Sequence, residues 1–420
     1  MTQPTNHAPV SVRSLSGRSY LLLRLSRRFL VRALAVATAG AVIALAAVWF
    51  IQSLKATVQN PFGSDYVLPA GPWGELSVLP ILVGTPKEKI SATARLGDGN
   101  WYFRADSGER VAAMLRDCGL GEAEVLQAAN NLRAVAGRPE FLAATPSAPF
   151  ITALQPEVRS RIYGLLSRWP ENKAQTQPFH TSEEFVEKWL AGIPADTAEQ
   201  IRSLLWRRGT TLLFSDYNIV ADRISSPQEK LAVLEAISRK PSMILKLRVG
   251  SRADVGALVR YWGAQGRAEK IHPLLDSLAR SGGANLDVSN LLPAFARQRL
   301  YRYPDPLPGS ELGPDCHFTS LNFFAVGPPD TRPHDPLGAE AIFKEQYVEA
   351  RGEPQFGDLV VLTTPEGDTV HSAVHIAANI VFTKNGMGLS MPWVFSTLEQ
   401  MLIYYPGDPH LQVSYYRKRP

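Results

Sequence analysis

The sequence predicts an α+β protein with an N-terminal transmembrane helix, a helix-rich middle domain and a C-terminal domain that combines helices with strands. An uncharged run covers residues 33–51, and helical spacing of apolar residues dominates up to residue 300. Turns and strand-like runs follow segment 303–306. The predicted divisions are a basic segment 1–28, a membrane helix 29–54, a linker 55–79, a helix-rich domain 80–300 and a C-terminal domain 301–420.

Composition is that of a folded and nearly neutral protein. Of 420 residues, 45% are hydrophobic and 20% are charged, which excludes collagen-like, low-complexity and wholly disordered chains. The two cysteines, Cys118 and Cys316, exclude a disulfide-stapled scaffold and a Cys-rich zinc module. Residues 1–55 carry seven positive charges and no negative one, so removing them from the net charge of +5 leaves −2 for the rest. We therefore expect no nucleic-acid partner.

Residues 33–51 have the length and composition of a membrane span, since a helix needs about 20 apolar residues to cross a bilayer. Trp49 and Phe50 lie near one end, where aromatic side chains favour the interface. Arginines precede the run, so the positive-inside rule predicts a single-pass inner-membrane protein with a cytoplasmic N-terminus and a periplasmic bulk. The lipid bilayer is then the partner of residues 29–54. A cleaved signal peptide and a buried helix are the alternatives.

The middle region combines helix starts with apolar residues at helical spacing. Ser107 and Ser226 stand at two such starts, and a proline follows Ser226 in the first turn. Two runs, 210–217 and 242–250, are typical of strands. No phosphate-binding glycine loop and no His-Glu-x-x-His motif occurs, so the role stays open and includes a protein partner. The predicted helices cover 107–120, 121–135, 156–169, 185–190, 227–238 and 268–283.

The clearest chemical signature after residue 300 is the segment DCHFTSLNFF. It follows a Gly-Pro turn, and its apolar residues recur at helical spacing, which places Cys316 at a helix N-terminus. The positive end of the helix dipole favours a thiolate, which is the nucleophilic form of cysteine. The sequence therefore predicts Cys316 as a nucleophile, with an inert buried thiol as the alternative.

The run VHSAVHIA predicts a strand on which His371 and His375 share one face. A histidine there supplies the general base for a neighbouring thiol, and a third polar group orients the imidazole. The same two histidines have no evident carboxylate partner, so we expect neither a metal nor a cofactor. The candidates for the third group are Thr383, Lys384 and Asn385.

The order of these motifs resembles the NlpC/P60 cysteine peptidases over about residues 301–420. In that family a Tyr-containing turn precedes Asp-Cys-Ser-Gly, and a Gly-Asp-Leu-Val strand and a His-Val-Gly-Ile-Tyr strand follow. The sequence departs from the family twice: His317-Phe318 replaces Ser-Gly, and the family spacing of the third residue falls on Thr383 although Asn385 is the better orienting group. The matching residues are Tyr303, Cys316, the run from Gly357 to Val360, and His371.

The resemblance implies a papain-like domain, in which a helix packs on an antiparallel sheet, and a hydrolase that cuts an amide bond in cell-wall peptides. Together with the predicted membrane helix, it predicts a membrane-anchored cysteine hydrolase. It implies catalytic roles for Cys316, His371, Thr383 or Asn385, and Tyr303 near the oxyanion. The alternative is a binding or scaffold protein of the cell envelope that holds a peptide without cutting it. Acyl transfer through a thioester is a third hypothesis.

Overall fold

The computed structural model describes residues 65–419 apart from 94–96, 130, 184, 210 and 406–410, and within them the strands form antiparallel sheets. The strands are β1 (Tyr66–Gly71), β2 (Gly74–Val83), β3 (Trp101–Arg104), β4 (Arg133–Val135), β5 (Arg138–Ala144), β6 (Phe179–Thr181), β7 (Trp206–Arg208), β8 (Thr211–Phe214), β9 (Lys240–Gly250), β10 (Gly283–Asp287), β11 (Tyr347–Glu349), β12 (Leu359–Thr363), β13 (Thr369–Ala377), β14 (Ile380–Thr383), β15 (Val394–Thr397) and β16 (Gln412–Lys418).

The helices lie between and after these strands, and most are short. They span Lys87–Thr93, Gly108–Asp117, Glu122–Ala129, Ala148–Ala153, Pro156–Leu166, Lys173–Thr176, Val186–Leu190, Ala195–Leu204, Tyr217–Ala221, Pro227–Ile237, Val255–Trp262, Ala268–Arg280, Ala294–Arg299, Cys316–Leu321, Pro336–Gln346 and Leu398–Ile403. Single 3-10 turns occur at Val288–Leu291 and Arg332–His334.

Strand β9 is the centre of the sheet β1-β2-β9-β10. Its residues alternate in burial: Leu245 and Leu247 are buried, whereas Lys246 and Arg248 are exposed, because neighbouring side chains of a strand point to opposite faces. Two smaller sheets, β3-β5-β4 and β6-β8-β7, share a second core that contains Trp101, Tyr163 and Trp206.

The C-terminal sheet has the order β11-β16-β12-β13-β14-β15, and both of its faces are covered. One face contributes Val374, Ile376 and Phe382 to the core that also holds Leu245 and Leu247 of β9. The other face carries Val360, Leu362 and Ala373, and Met401 of the helix Leu398–Ile403 packs with them. The main core thus draws side chains from both sides of residue 300, and the described residues fall within one compact unit.

The prediction of a helix-rich region over residues 80–300 is wrong, because this stretch contains all or part of three antiparallel sheets. Strands β4, β6 and β7 have three residues each, which is too short for a two-residue alternation to show in the sequence. The two strands predicted near 210–217 and 242–250 are confirmed as β8 and β9, although they belong to different sheets.

The predicted membrane helix 29–54 lies outside the described residues. Among the residues that the structure does describe, none of the helices is long and apolar enough to cross a bilayer, and the one at Ala268–Arg280 has only 13 residues. On that finding the prediction of a single-pass inner-membrane protein is contradicted and is withdrawn. The papain-like assignment is corrected as well: the fold is mixed α/β with several antiparallel sheets, and the C-terminal sheet shares its core with β9.

Candidate functional site

Cys316 is the first residue of the helix Cys316–Leu321, as the sequence predicts. Asp315 caps this helix: its side chain accepts a hydrogen bond of 2.7 Å from the backbone N–H of Phe318. The backbone carbonyl of Asp315 also accepts a hydrogen bond from the Thr319 hydroxyl at 2.7 Å. These bonds fix the start of the helix, and Cys316 is only 5% exposed there.

Burial sets the protonation state of the Cys316 thiol. Burial, followed by the neighbouring Asp315 carboxylate, raises the pKa of Cys316 to about 12, although the backbone N–H groups of Ser372, Cys316 and His317 act in the opposite direction. The thiol is therefore protonated at neutral pH. The sequence predicts that the helix N-terminus lowers the thiol pKa and favours the thiolate. In the structure, the loss of hydration on burial raises the pKa by more than the helix N-terminus lowers it.

His371 lies on β13 and is fully buried, with both ring nitrogens hydrogen-bonded. Its Nε2 lies 2.9 Å from Oγ1 of Thr383, and its Nδ1 lies 2.5 Å from the hydroxyl of Tyr405. The Thr383 hydroxyl donates to Oδ1 of Asn385 at 3.4 Å, so Thr383 must accept the Nε2–H of His371. The chain of donors thus assigns the proton to Nε2 and leaves Nδ1 as the acceptor. Burial, together with the charge of His317, lowers the pKa of His371 to about 3, so the imidazole is neutral.

The structure brings His371, Thr383 and Asn385 together but does not join His371 to Cys316. Ser372, the next residue on β13, contacts the Cys316 helix: its hydroxyl lies 2.8 Å from Nδ1 of His317 and 2.6 Å from the hydroxyl of Ser320. Side chains of successive strand residues point to opposite faces of a sheet. The His371 side chain therefore points to the face of β13 opposite to the one on which Ser372 contacts the Cys316 helix. Among the residues that the structure describes, no hydrogen bond links Cys316 to His371.

Tyr405 is a site residue that the sequence reasoning missed. It follows the helix Leu398–Ile403, and its ring lies 4.5 Å from that of His371 between centroids. Burial and the nearby Cys316 raise the pKa of Tyr405, so its hydroxyl keeps its proton and donates to Nδ1 of His371. The backbone N–H of Gly386 acts on the same phenol in the opposite direction. No spacing rule connects residues 371 and 405, so this pair cannot be recognised from the sequence.

Lys384 is buried beside Cys316 rather than beside the imidazole. Its ammonium donates to the carbonyl oxygens of Gly386 at 2.6 Å and Gly388 at 3.2 Å. Burial lowers the pKa of Lys384 to about 8, and the negative charges that Cys316 and Asp315 carry when ionised oppose that shift. Lys384 is therefore mostly a cation at neutral pH, and its charge favours a thiolate at Cys316.

Tyr303 lies elsewhere: its hydroxyl is 2.8 Å from Oγ1 of Thr85, and burial raises its pKa to about 12. It lines a cleft of about 390 Å³ that borders the Cys316 helix at Pro314 and Phe318. Arg299, which packs over the ring of Phe295 at 3.8 Å, belongs to the same wall. The cleft has the size of a small-ligand site and carries an aromatic and cationic lining.

Within the described residues, no group of three or more His, Cys, Asp and Glu side chains could hold a metal ion. Comparisons with family models, curated proteins and solved structures find no match to this chain. The reading of the site therefore depends on the chemistry of its own side chains.

Proposed function

We propose that the chain is a cysteine-dependent acyl hydrolase that cuts an amide bond through a thioester on Cys316. The observation that supports this is the directed chain of hydrogen bonds at His371: Nε2–H is held by Thr383, which donates in turn to Asn385, while Nδ1 accepts the hydroxyl hydrogen of Tyr405. A fixed tautomer with one acceptor nitrogen is what a general base requires.

The first step moves the proton of the Cys316 thiol to Nδ1 of His371. Tyr405 gives its hydroxyl proton to Nδ1 and takes the thiol proton, so the tyrosine is unchanged. The thiolate, stabilised by the ammonium of Lys384, forms a bond to the amide carbonyl carbon. The resulting oxyanion is stabilised by the backbone N–H of Cys316. Tyr303, bonded to Thr85, takes no part in this scheme.

The C–N bond then breaks, and the amine leaves with the proton held by His371. Water adds to the thioester carbonyl while His371 accepts one of its protons; the C–S bond then breaks, and the leaving thiolate of Cys316 takes this proton back from His371. The products are a carboxylic acid, an amine and the restored thiol. Peptide amides are the substrate class we propose, with cell-wall peptides first because of the resemblance to NlpC/P60 peptidases, and the cleft at Phe318 is the place for the peptide.

The pKa values of the resting site favour a second candidate, peptide binding without cleavage. With the pKa of Cys316 raised to about 12 and that of His371 lowered to about 3, proton transfer from the thiol to the imidazole is strongly unfavourable in the resting arrangement. Hydrolysis therefore requires substrate binding to move the thiol and the imidazole into direct or relayed contact. A protein that only holds a peptide in the cleft requires no such change.

Incubation with purified peptidoglycan and soluble muropeptides separates the two candidates. The full chain, Cys316→Ala and the matched control Cys118→Ala are compared by mass spectrometry of the products. New fragments from the full chain and Cys118→Ala, absent with Cys316→Ala, support the hydrolase, and their masses identify the bond. No fragments, together with equal labelling of Cys316 and Cys118 by a thiol probe, would rule out the hydrolase in favour of binding.

A further inference from the structure

The cleft beside Phe318 is lined by two arginines, Arg299 and Arg302, that belong to one turn of the chain. The backbone N–H of Arg302 donates to the carbonyl of Arg299 at 2.8 Å. Neither guanidinium forms an ion pair with an acidic side chain among the residues that the structure describes. Asp305 also lines the cleft, but its side chain is 99% exposed and lies 3.9 Å from the ammonium of Lys89. The cleft therefore carries two positive charges that the described side chains do not compensate.

Arg299 is held in place by aromatic rings. Its guanidinium carbon lies 3.8 Å from the ring centroid of Phe295 and 5.7 Å from that of Trp393. One of its N–H groups donates to the carbonyl of Phe295 at 3.3 Å. Contacts with ring faces use none of the five N–H donors of a guanidinium, so the other donors of Arg299 are available to a ligand. Arg299 is also partly buried, and a cation that has lost part of its hydration is costly unless an anion compensates it.

The cleft also offers apolar contacts, and it is larger than an anion alone requires. Apolar surface is supplied by Leu307, Pro314, Phe318 and Trp393. The ring of Phe318 is fixed by stacking on that of His334, with centroids 4.4 Å apart and planes 9° from parallel. At about 390 Å³ the cleft falls within the range of about 300–1,000 Å³ that is usual for small-molecule sites. An organic group therefore fits beside an anion bound at the arginines.

We propose that this cleft binds a phosphate monoester of a small organic molecule, with Arg299 and Arg302 bonded to the phosphate oxygens and the organic group against Phe318 and Trp393. A carboxylate has a single charge and two oxygens, and one guanidinium already satisfies both oxygens in a bidentate pair. A phosphate monoester has three terminal oxygens and a charge of about −1.5 to −2 at pH 7, which matches two guanidinium groups.

A phosphate monoester in this cleft would compete with the peptide, because the cleft is also the proposed place for the peptide. This regulatory consequence rests on the proposed function. The binding itself does not, since neither arginine takes part in the chemistry at Cys316. Cys316→Ala should therefore bind the phosphate monoester like the wild type, whether or not the chain is a hydrolase.

The test is calorimetric titration of the full chain with phenyl phosphate at neutral pH and constant ionic strength. We expect Arg299→Gln and Arg302→Gln each to raise the Kd roughly tenfold or more, because each removes charged hydrogen bonds to the phosphate. Arg297→Gln removes an exposed arginine from the helix Ala294–Arg299 and should leave the Kd unchanged, since Arg297 does not line the cleft. Arg302 is exposed, so Arg302→Gln decides the test if Arg299→Gln does not fold.

Three further probes separate the charge from the ring. Benzoate and benzenesulfonate keep the ring but carry one charge, and inorganic phosphate keeps the charge but lacks the ring. We expect all three to bind several-fold more weakly than phenyl phosphate. No binding of phenyl phosphate, equal affinity of the wild type and Arg302→Gln, or benzoate bound as tightly as phenyl phosphate overturns the proposal.

Discussion

At the scale of single residues, the side chains that contact each other in the site are only partly the ones that the sequence predicted. Thr383 and Asn385 bond in series to His371, so the two alternatives for the third polar group become one chain. Their spacing of two residues at the end of β14 made this visible in the sequence. Tyr405 and Lys384 owe their positions to packing across the sheet, which no local pattern encodes. The catalytic roles themselves stay predictions.

Removing the Thr383 hydroxyl should release the imidazole from its fixed tautomer. We expect Thr383→Val to lower kcat for peptide hydrolysis at least tenfold while KM stays within a factor of two, because Thr383 positions His371 and does not touch the peptide. Steady-state kinetics on the amide cut by the full chain measure this. Thr383→Ser keeps the hydroxyl and should restore most of kcat; equal losses in Val and Ser variants would contradict the positioning role.

At the scale of elements, the Cys316 helix shows a cap with two separable effects. The Asp315 side chain bonds to the backbone N–H of Phe318, which stabilises the helix start, and its charge raises the pKa of Cys316. Trp393 of the neighbouring sheet donates to the Thr319 hydroxyl at 2.9 Å, so the helix is also held from its side. A six-residue helix depends on such contacts, because isolated short helices are marginal in water.

Asp315→Asn should separate these two effects. Asparagine also caps helices well, so stability should hardly change, whereas loss of the carboxylate charge lowers the pKa of Cys316. We expect iodoacetamide to alkylate Cys316 several-fold faster at pH 8.5, as measured by mass spectrometry with Cys118 as the internal reference. Asp315→Ala also removes the cap and should cost about 1 kcal/mol of unfolding free energy. An unchanged alkylation rate of Cys316 in Asp315→Asn would show that the Asp315 carboxylate does not raise the pKa of the thiol.

The turn before β12 is built from contacts between residues that are close in the sequence, together with one ion pair. Asp358 accepts a hydrogen bond of 2.9 Å from the backbone N–H of Gln355, which closes the turn, and it pairs with Arg417 at 2.7 Å. Gly357 has φ +91°, and a Cβ at this position would lie 2.2 Å from the ring of Phe324. The Gly-Asp pair is therefore needed for local geometry. Such a turn depends mainly on residues next to each other in the sequence, so Gly357 and Asp358 are recognisable as a pair before strand β12.

At the scale of the whole molecule, buried histidines tie stability to pH. Burial lowers the pKa of His375 to about 4, so the folded chain keeps this imidazole neutral while the unfolded chain protonates it near pH 6.5. A lowered histidine pKa contributes stability that is present above about pH 6.5 and is lost as pH falls toward 4. Nε2 of His375 has no hydrogen-bond partner among the described residues, and burial is what keeps the ring neutral.

His375→Leu should remove this dependence. Between pH 6 and pH 4.5, the unfolding free energy of the wild type should fall by about 1.4 kcal/mol per pH unit more than that of the variant, since one fewer proton is taken up on unfolding. Urea unfolding at several pH values measures the two slopes. The exposed His272 provides the control, and His272→Gln should match the wild type. Parallel slopes for wild type and His375→Leu would contradict the buried neutral state.

The division at residue 300 was predicted from a change of composition, but the packing crosses it. The hydroxyl of Tyr261 donates to the carbonyl of Ile376 at 2.9 Å, and the ring of Trp262 lies 5.1 Å from that of Phe356. Ser242 of β9 donates to the carbonyl of Phe395 at 3.0 Å. Amino-acid composition is a property of each segment by itself. A hydrophobic core that is shared by segments far apart in the sequence therefore cannot be recognised from composition.

A fragment of residues 301–420 should therefore not fold by itself. Each large side chain left exposed costs about 1.5–3 kcal/mol, and the shared core includes enough of them to exceed the 5–15 kcal/mol by which a domain is stable. We expect this fragment to melt without a cooperative transition and to give a poorly dispersed amide spectrum. A fragment of residues 61–420 keeps the whole core and should melt cooperatively. A cooperative melt and a dispersed spectrum for 301–420 would instead establish that the site and its sheet form an independent domain.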